Sequence, residues 1–220
     1  MKLQQRFIAT DLRKQGYSYP KILKTVNVSK STLSLWLRDI DLTPQQQKKL
    51  LIGREKSRYA AAKKKKETRI LKTNEIIDKS KKEVSTLVKT PLFITGLSLY
   101  WAEGTKNKSE TVRFVNSDEK MIMLIMKWFR GVCGIPPDKF RCQVHMHNLH
   151  CKPDLEKYWS NITGIPQKQF YKTYVKQNSL GQRRNILYNG TCSITISSKE
   201  LFRRIWGWKL GLQQYFNISP

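Results

Sequence analysis

The segment between Thr43 and Thr90 constrains the fold most, because it is long, polar and lysine-rich and has too few apolar residues for a core of its own. Thr43, followed by a proline and by Gln46, forms a capping-box sequence, which predicts that a helix begins here. Few residues interrupt this helix before Pro91, so it would extend over roughly 70 Å. We interpret the segment as a solvated helical linker. It divides the chain into residues 1–43, 44–90 and 91–220.

The chain has a large excess of positive charge, with 42 Lys and Arg against 16 Asp and Glu and a formal net charge of +26. Such a surface repels itself unless a polyanion screens it, which makes nucleic acid the expected partner. Charge alone does not separate DNA from RNA or from an anionic membrane. The linker, with its run Lys63–Lys66, has an alternative role as a basic strut along the DNA backbone.

The sequence argues against a membrane-spanning or secreted protein. The longest apolar run, Met121–Met126, is far shorter than a spanning helix, and the N-terminus leads into no apolar segment of the signal-peptide type. The 4 cysteines do not suggest a disulfide scaffold in a chain of 220 residues. We therefore expect an intracellular protein of the cytoplasm or nucleoid.

Residues 1–43 have the pattern of three short helices. Gly16 follows the first apolar periodicity, Ser18 precedes a second helix, and Ser29 is placed to cap a third. The stretch "QGYSYPKILKTVNVSKSTLSLWLRDI" resembles the helix-turn-helix domains of resolvases and transposases over about residues 5–42. The alternative is a small helical bundle without a DNA role. The resemblance implies that the start of the third helix contacts DNA through Ser29, Lys30, Ser31, Thr32 and Ser34.

The third part opens with an apolar helix that ends in a carboxylate. The sequence from Gly96 to Gly104 is "GLSLYWAEG", and the desolvation cost of a buried Glu103 would require a cation or strong donors nearby. Ser98 and Ala102 are small and four residues apart, so they share one helical face on which a second helix can approach closely.

These nine residues resemble the LAGLIDADG motif of homing endonucleases, and the likeness extends over about residues 91–215. The resemblance implies that Glu103 is the catalytic acid that binds Mg²⁺, and that Ser98 and Ala102 form the seam between two motif helices. Because the chain has one motif copy, cleavage would require a homodimer on a roughly palindromic site. The motif departs from the family pattern in two places, since Trp101 replaces its first acid and Ser98 replaces a glycine.

The remainder of this part predicts helices interleaved with antiparallel strands. Residues 139–147 alternate between apolar and polar side chains, and "KWFRGVCGIPPDKF" returns later as "KYWSNITGIPQKQF", which predicts one helix-turn-strand unit used twice. The predicted class is α+β, with a helix-turn-helix domain, a basic helical linker and a LAGLIDADG-like domain whose antiparallel sheet is packed by helices. The side chains predicted to contact DNA from this domain are Arg113, Lys139, Arg141, Gln143, His145, His147, Lys172, Lys176, Arg183 and Arg184.

Other chemistries fit the sequence less well. His145, His147, His150 and Cys151 suggest zinc, but the chain has no Cys-x-x-Cys pair. A phosphate loop of the Walker type and a Gly-x-Ser-x-Gly motif are also absent, so we expect no nucleotide cofactor and no serine nucleophile. Two hypotheses remain for a protein that binds double-stranded DNA. One is a Mg²⁺-dependent, site-specific endonuclease, and the other is a non-catalytic transcriptional regulator on the same scaffold.

Overall fold

The computed structural model describes residues 2–106, 110–147, 154–176 and 189–218. Helices and strands alternate in its second half, so the predicted α+β class is confirmed. The helices are α1 (Lys2–Lys14), α2 (Tyr19–Ile22), α3 (Lys30–Leu37), α4 (Pro44–Leu87), α5 (Pro91–Glu103), α6 (Glu119–Gly131), α7 (Leu155–Thr163) and α8 (Lys199–Tyr215). The strands are β1 (Val112–Asn116), β2 (Phe140–His147), β3 (Tyr174–Lys176) and β4 (Thr191–Ile196).

The first compact unit comprises residues 1–70 and has a small apolar core between α1, α2 and α3. Gly16 has a φ of 85°, which lets the chain turn sharply after α1. The Ser29 side chain accepts a hydrogen bond from the backbone N–H of Thr32, so the predicted cap of the third helix is present. The second helix is only one turn long, shorter than the sequence pattern indicated. The fully buried side chains of this core are Ala9, Ile22, Val26, Leu33 and Leu37.

Helix α4 begins at the predicted capping box. The Thr43 N–H donates to Gln46 Oε1 at 3.0 Å, and the Gln46 N–H donates to Thr43 Oγ1 at 3.3 Å. Its residues from 51 to 72 are all exposed, as expected for a solvated helix. The compact units, however, divide between Ile70 and Leu71, within the helix rather than at residue 90. No helix of the described residues is both long and apolar enough to cross a membrane.

The last turns of α4 belong to the core of the second unit, which corrects the prediction of a solvated linker up to residue 90. Ser80 and Val84 are buried there. Two glycines of α8 make this packing possible, because a Cβ at Gly207 would lie 2.6 Å from the Ile77 carbonyl oxygen and one at Gly211 would lie 2.7 Å from Val84 Cγ2. Because glycine has no side chain, the backbones of α4 and α8 can come close together at these two positions.

The sheet has the strand order β1-β4-β2-β3. Strand β4 pairs antiparallel with β1 and β2, as predicted, but β2 and β3 are parallel, so the sheet is mixed rather than antiparallel. The repeated sequence unit gives the reason. Each copy forms a helix, a Gly-Ile-Pro turn and a short 3₁₀ turn before its strand, so neighbouring copies run in the same direction. Cys142 and Phe170 also form a parallel bridge ahead of β3.

Aromatic side chains fill the core of the second unit, and Trp128 joins three of its helices. The Trp128 ring of α6 lies 6.0 Å from the Tyr100 ring of α5 and 6.2 Å from the Trp208 ring of α8, measured between centroids. Gly96 of α5 provides the space, because a Cβ at this position would overlap the Trp128 indole. The helix that carries Glu103 is thus held in place by a glycine and an indole.

We predict that Gly96→Ala lowers the free energy of unfolding of the second unit by about 1–3 kcal/mol, since overpacking a filled core forces its neighbours to shift. Gly131→Ala is the matched control in α6, because its nearest neighbour, Leu92 Cδ2, would lie at an ordinary 3.7 Å. Urea denaturation followed by tryptophan fluorescence measures both. Equal stability of the two variants would contradict this packing.

Candidate nucleic-acid interface

The sheet has one face that the helical core does not cover. Inward-facing residues such as Phe114, Cys142 and Ile194 belong to the same buried cluster as the helices α5 to α8. The alternate residues point the other way, and pleating brings them together on one surface. We call this surface the open face. Its side chains are Arg113, Val115, Arg141, Gln143, His145, His147, Tyr174, Lys176, Thr191, Ser193 and Thr195.

Strand register places two arginines on either side of one threonine. Arg113 and Arg141 both pair with Thr195, from β1 and β2 respectively. Arg113 Nε donates to Thr195 Oγ1 at 3.3 Å, and an Arg141 terminal nitrogen donates to the carbonyl oxygens of Asp138 and Phe140 at 2.8 and 2.7 Å. These bonds orient the guanidinium groups, and each group has five N–H donors, so some are left for a ligand.

Two predicted contact residues, Lys139 and Lys172, differ in placement from the sequence prediction, and Gln143 lies where predicted but already has a hydrogen bond. Lys139 lies in a 3₁₀ turn before β2, not in the strand, and its Nζ is 3.4 Å from Asp138 Oδ2. Gln143 lies on the open face, but its Nε2 donates to the Lys172 carbonyl oxygen at 3.1 Å. Lys172 itself precedes β3, which begins at Tyr174. The predicted contacts Arg183 and Arg184 lie outside the described residues, as do His150 and Cys151.

The histidines lie where β2 and β3 run side by side. His145 pairs with Tyr174, and the centroids of their rings are 5.6 Å apart, while His147 pairs with Lys176. The Nε2 atom of His145 is buried and has no hydrogen-bond partner among the described residues. Burial, and secondly the positive charge of Arg113, lower the pKa of His145 below its ordinary value, which favours the neutral ring.

Five members of the open face were not predicted as ligand contacts. They are Val115, Tyr174, Thr191, Ser193 and Thr195, of which Tyr174 is exposed whereas Ser193 and Thr195 are buried. Ser193 is almost wholly buried, and in the part of the chain that the structure describes its hydroxyl has no hydrogen-bond partner. The alternation of β4 was visible in the sequence, but only the strand order places this strand in the centre of the sheet.

In the first unit, the start of α3 presents the predicted hydroxyl cluster. Ser29 Oγ lies 2.8 Å from both Ser31 Oγ and Thr32 Oγ1. Ser29 and Thr32 are therefore engaged in the helix cap, whereas Lys30, Ser31 and Ser34 are exposed. This end of α3 combines a lysine, hydroxyls and backbone N–H groups, all of which bind phosphate oxygens.

Glu103 is the last residue of α5, and it is exposed, which corrects the expectation of a buried carboxylate that needs a compensating partner. The next residue, Gly104, bridges to Phe114 of β1. Ser98 and Ala102 are also exposed and lie together on one side of α5. The described residues include no group of three His, Cys, Asp or Glu side chains placed to hold a metal ion.

Comparison of the chain with protein-family models, curated proteins and solved structures finds no match.

We predict that the stability of the second unit falls as the pH is lowered through 6.5, and that His145→Gln reduces this fall. In the folded protein the pKa of His145 is below 6.5, so the unfolded chain takes up the proton first and acid favours unfolding. Urea denaturation at pH 7.5 and 5.5, compared between wild type and variant, measures the effect. The same fall in both proteins would contradict the proposed environment of His145.

Proposed function

We propose that this protein binds double-stranded DNA through the open face of its sheet and the start of α3. The proposal rests on the two faces of the four-stranded sheet. The helices α5 to α8 pack against one face, and the other face has arginine, lysine, histidine, glutamine and hydroxyl side chains. Side chains of these types bind phosphates and the edges of bases. The formal net charge of +26 supplies the long-range attraction to a polyanion.

The basic surface of α4 adds to this attraction. The run Lys63–Lys66 is exposed, and none of these lysines has an ion pair with a described residue. Lysines on a solvated helix attract phosphates without reading sequence. In this proposal α4 strengthens binding, and the open face and α3 determine where on the DNA the protein binds.

We further propose that the bound DNA is cleaved, with Glu103 as the catalytic acid. An exposed carboxylate at the C-terminus of α5 adds negative charge to the negative end of the helix dipole, and a cation there would relieve this repulsion. Mg²⁺ needs few protein ligands, because water molecules and oxygens of the substrate phosphate fill most of its coordination sites. One carboxylate per subunit is therefore compatible with Mg²⁺ binding. When bound, Mg²⁺ would polarise the phosphodiester and activate water.

A homodimer follows from the single motif, because two strands require two such carboxylates. Thr95, Ser98 and Ala102 make an exposed face of small side chains on α5, which suits close approach by the same helix of a second copy. In this arrangement each subunit contributes one Glu103 to one strand.

A second candidate function is a DNA-binding regulator that does not cleave. Trp101 favours it, because an indole stands where the LAGLIDADG motif has its first acid, and this ring packs over the Lys209 ammonium at 5.0 Å. In this alternative, Glu103 is a surface residue with no catalytic role. The two candidates share the same DNA surface and differ only in the product.

We predict that Lys176→Gln on the open face weakens duplex binding and lowers the slope of log affinity against log salt by about 0.9, the value of one phosphate contact. Lys127→Gln is the matched control, because it removes the same charge from the exposed side of α6. Fluorescence anisotropy of a labelled duplex over a series of salt concentrations measures both. If the salt slopes of the two variants are equal, the DNA does not contact Lys176 on the open face.

We predict that Glu103→Gln binds DNA as wild type does but loses all cleavage. The substrate is supercoiled DNA carrying the gene's own neighbourhood, with Mg²⁺ or with EDTA, and the products are resolved by electrophoresis. Glu200→Gln, an exposed acid in the first turn of α8, is the control that should still cut. Wild-type protein that binds without nicking in Mg²⁺ would establish the regulator instead.

A mixture of wild-type and Glu103→Gln subunits tests the dimer in the same assay. If each subunit cuts one strand, mixed dimers convert supercoiled DNA to nicked circles. A mixture that yields only linear and uncut DNA would contradict one acid per strand.

A further inference from the structure

A pocket at the C-terminal end of α5 plays no part in the DNA binding and cleavage proposed so far. It lies between the C-terminal turn of α5, the two residues that follow Gly104, and α8. Its floor is apolar, and Trp101, Trp206, Lys106 and Lys209 line it with two indole rings and two ammonium groups. Trp101 belongs to the last turn of α5 and Lys106 follows that helix, whereas Glu103 does not line the pocket.

The Lys209 ammonium is held between the two indoles. Its Nζ lies 5.0 Å from the centroid of the Trp101 ring and 4.8 Å from that of the Trp206 ring. Aromatic faces attract a cation, so this geometry fixes the position of the charge. Trp206 is 40% exposed, and an indole at a pocket mouth leaves part of its surface free for a ligand.

The two lysines repel one another. Lys106 Nζ donates to the Ala102 carbonyl oxygen at 3.3 Å, and in the described part of the chain neither lysine has a carboxylate within ion-pair distance. Burial, and secondly the charge of Lys106, lower the pKa of Lys209. An anion in the pocket would offset both effects.

A ligand that satisfies the pocket must have an anionic group for the lysines and a flat apolar group for the indole. A nucleotide unit has both, since its phosphate pairs with ammonium groups and its base stacks on aromatic rings. A base inside a duplex is stacked on both faces and paired at its edge, so it offers no free face. An unpaired nucleotide at the end of a strand offers one.

We propose that this pocket binds one unpaired nucleotide of a DNA strand, with its phosphate at Lys106 and Lys209 and its base against Trp206. The inference rests on the proposed function of DNA binding and extends it to strand ends. The pocket lies at the end of α5, the helix whose last residue is the proposed catalytic acid Glu103. Bound there, a strand end would stay with the protein after cleavage.

The test uses the full-length protein and a duplex with a single-stranded overhang that contains 2-aminopurine, whose fluorescence falls when it stacks on an indole. We expect binding to quench the overhang probe several-fold and to leave a probe within a blunt duplex unchanged. Trp206→Ala should restore the fluorescence. Lys209→Met should weaken binding of the overhang duplex about tenfold while binding of the blunt duplex stays the same.

Two exposed residues at the ends of α8 supply matched controls, Lys199 at its start and Phe216 directly after its last residue. Phe216→Ala removes an aromatic side chain that is 56% exposed, and Lys199→Met removes a charge at the other end of the helix. Both should behave as wild type, and circular dichroism checks the folding of every variant. Quenching that persists in Trp206→Ala, or an equal loss of affinity in Lys199→Met, would overturn the proposal.

Two further measurements distinguish failure of the pocket proposal from failure of the proposed DNA binding. A gel shift with the blunt duplex measures DNA binding alone, so normal binding without quenching of the overhang overturns the pocket and leaves the proposed function intact. Absence of any duplex binding overturns both. A competition with thymidine 5′-monophosphate tests for a free nucleotide. If it displaces the overhang at an equal concentration, the ligand is a free nucleotide and the assignment to strand ends is overturned.

Discussion

The packing of Trp128 determines which surfaces of the second unit are free. This indole contacts the backbone at Gly96 of α5 and the rings of Tyr100 and Trp208, so it draws α5, α6 and α8 together on one side of the sheet. Once the helices share that side, the other face of the sheet is left mainly to polar residues. The open face is therefore a consequence of where the aromatic core formed, and the proposed DNA surface depends on it.

Charge explains what such a face is suited to bind. A net charge of +26 is costly to concentrate on one chain unless phosphates neutralise it. The arginines of the open face are already oriented by bonds to Thr195 and to backbone carbonyl oxygens, which reduces the entropy that binding would otherwise cost. Glu103 is exposed at a helix C-terminus, where an anion is least favoured.

Local features were predictable from the sequence, and long-range pairings were not. The capping box at Thr43, the Ser29 cap and the turn at Gly16 depend on neighbouring residues, so the sequence pattern identified them. The repeated helix-turn-strand unit was also visible. The parallel pairing of β2 and β3 was not visible, because the alternation of side chains within one strand does not indicate which strand lies beside it. Cys142 pairs with Phe170 but His145 pairs with Tyr174, so the strand region before β3 has one extra residue that no pattern indicated.

The candidate site was predictable to a similar extent. Alternation in β2 placed Arg141, Gln143 and His145 on one face, but their hydrogen bonds and the central position of Ser193 required the strand order. The exposure of Glu103 was wrongly predicted, because apolar neighbours in sequence do not decide which face of a helix is covered. The pocket around Lys209 was missed because it joins α5 to α8, which are far apart in the chain.

The most direct test of the account is a lysine-reactivity footprint of the full-length protein with and without duplex DNA, measured by acetylation and mass spectrometry. We predict that DNA protects Lys176 on the open face and Lys30 at the start of α3, while Lys120 and Lys127 of α6 stay reactive. Protection of Lys120 and Lys127 with Lys176 still reactive would contradict it, because the DNA would then lie against the helices.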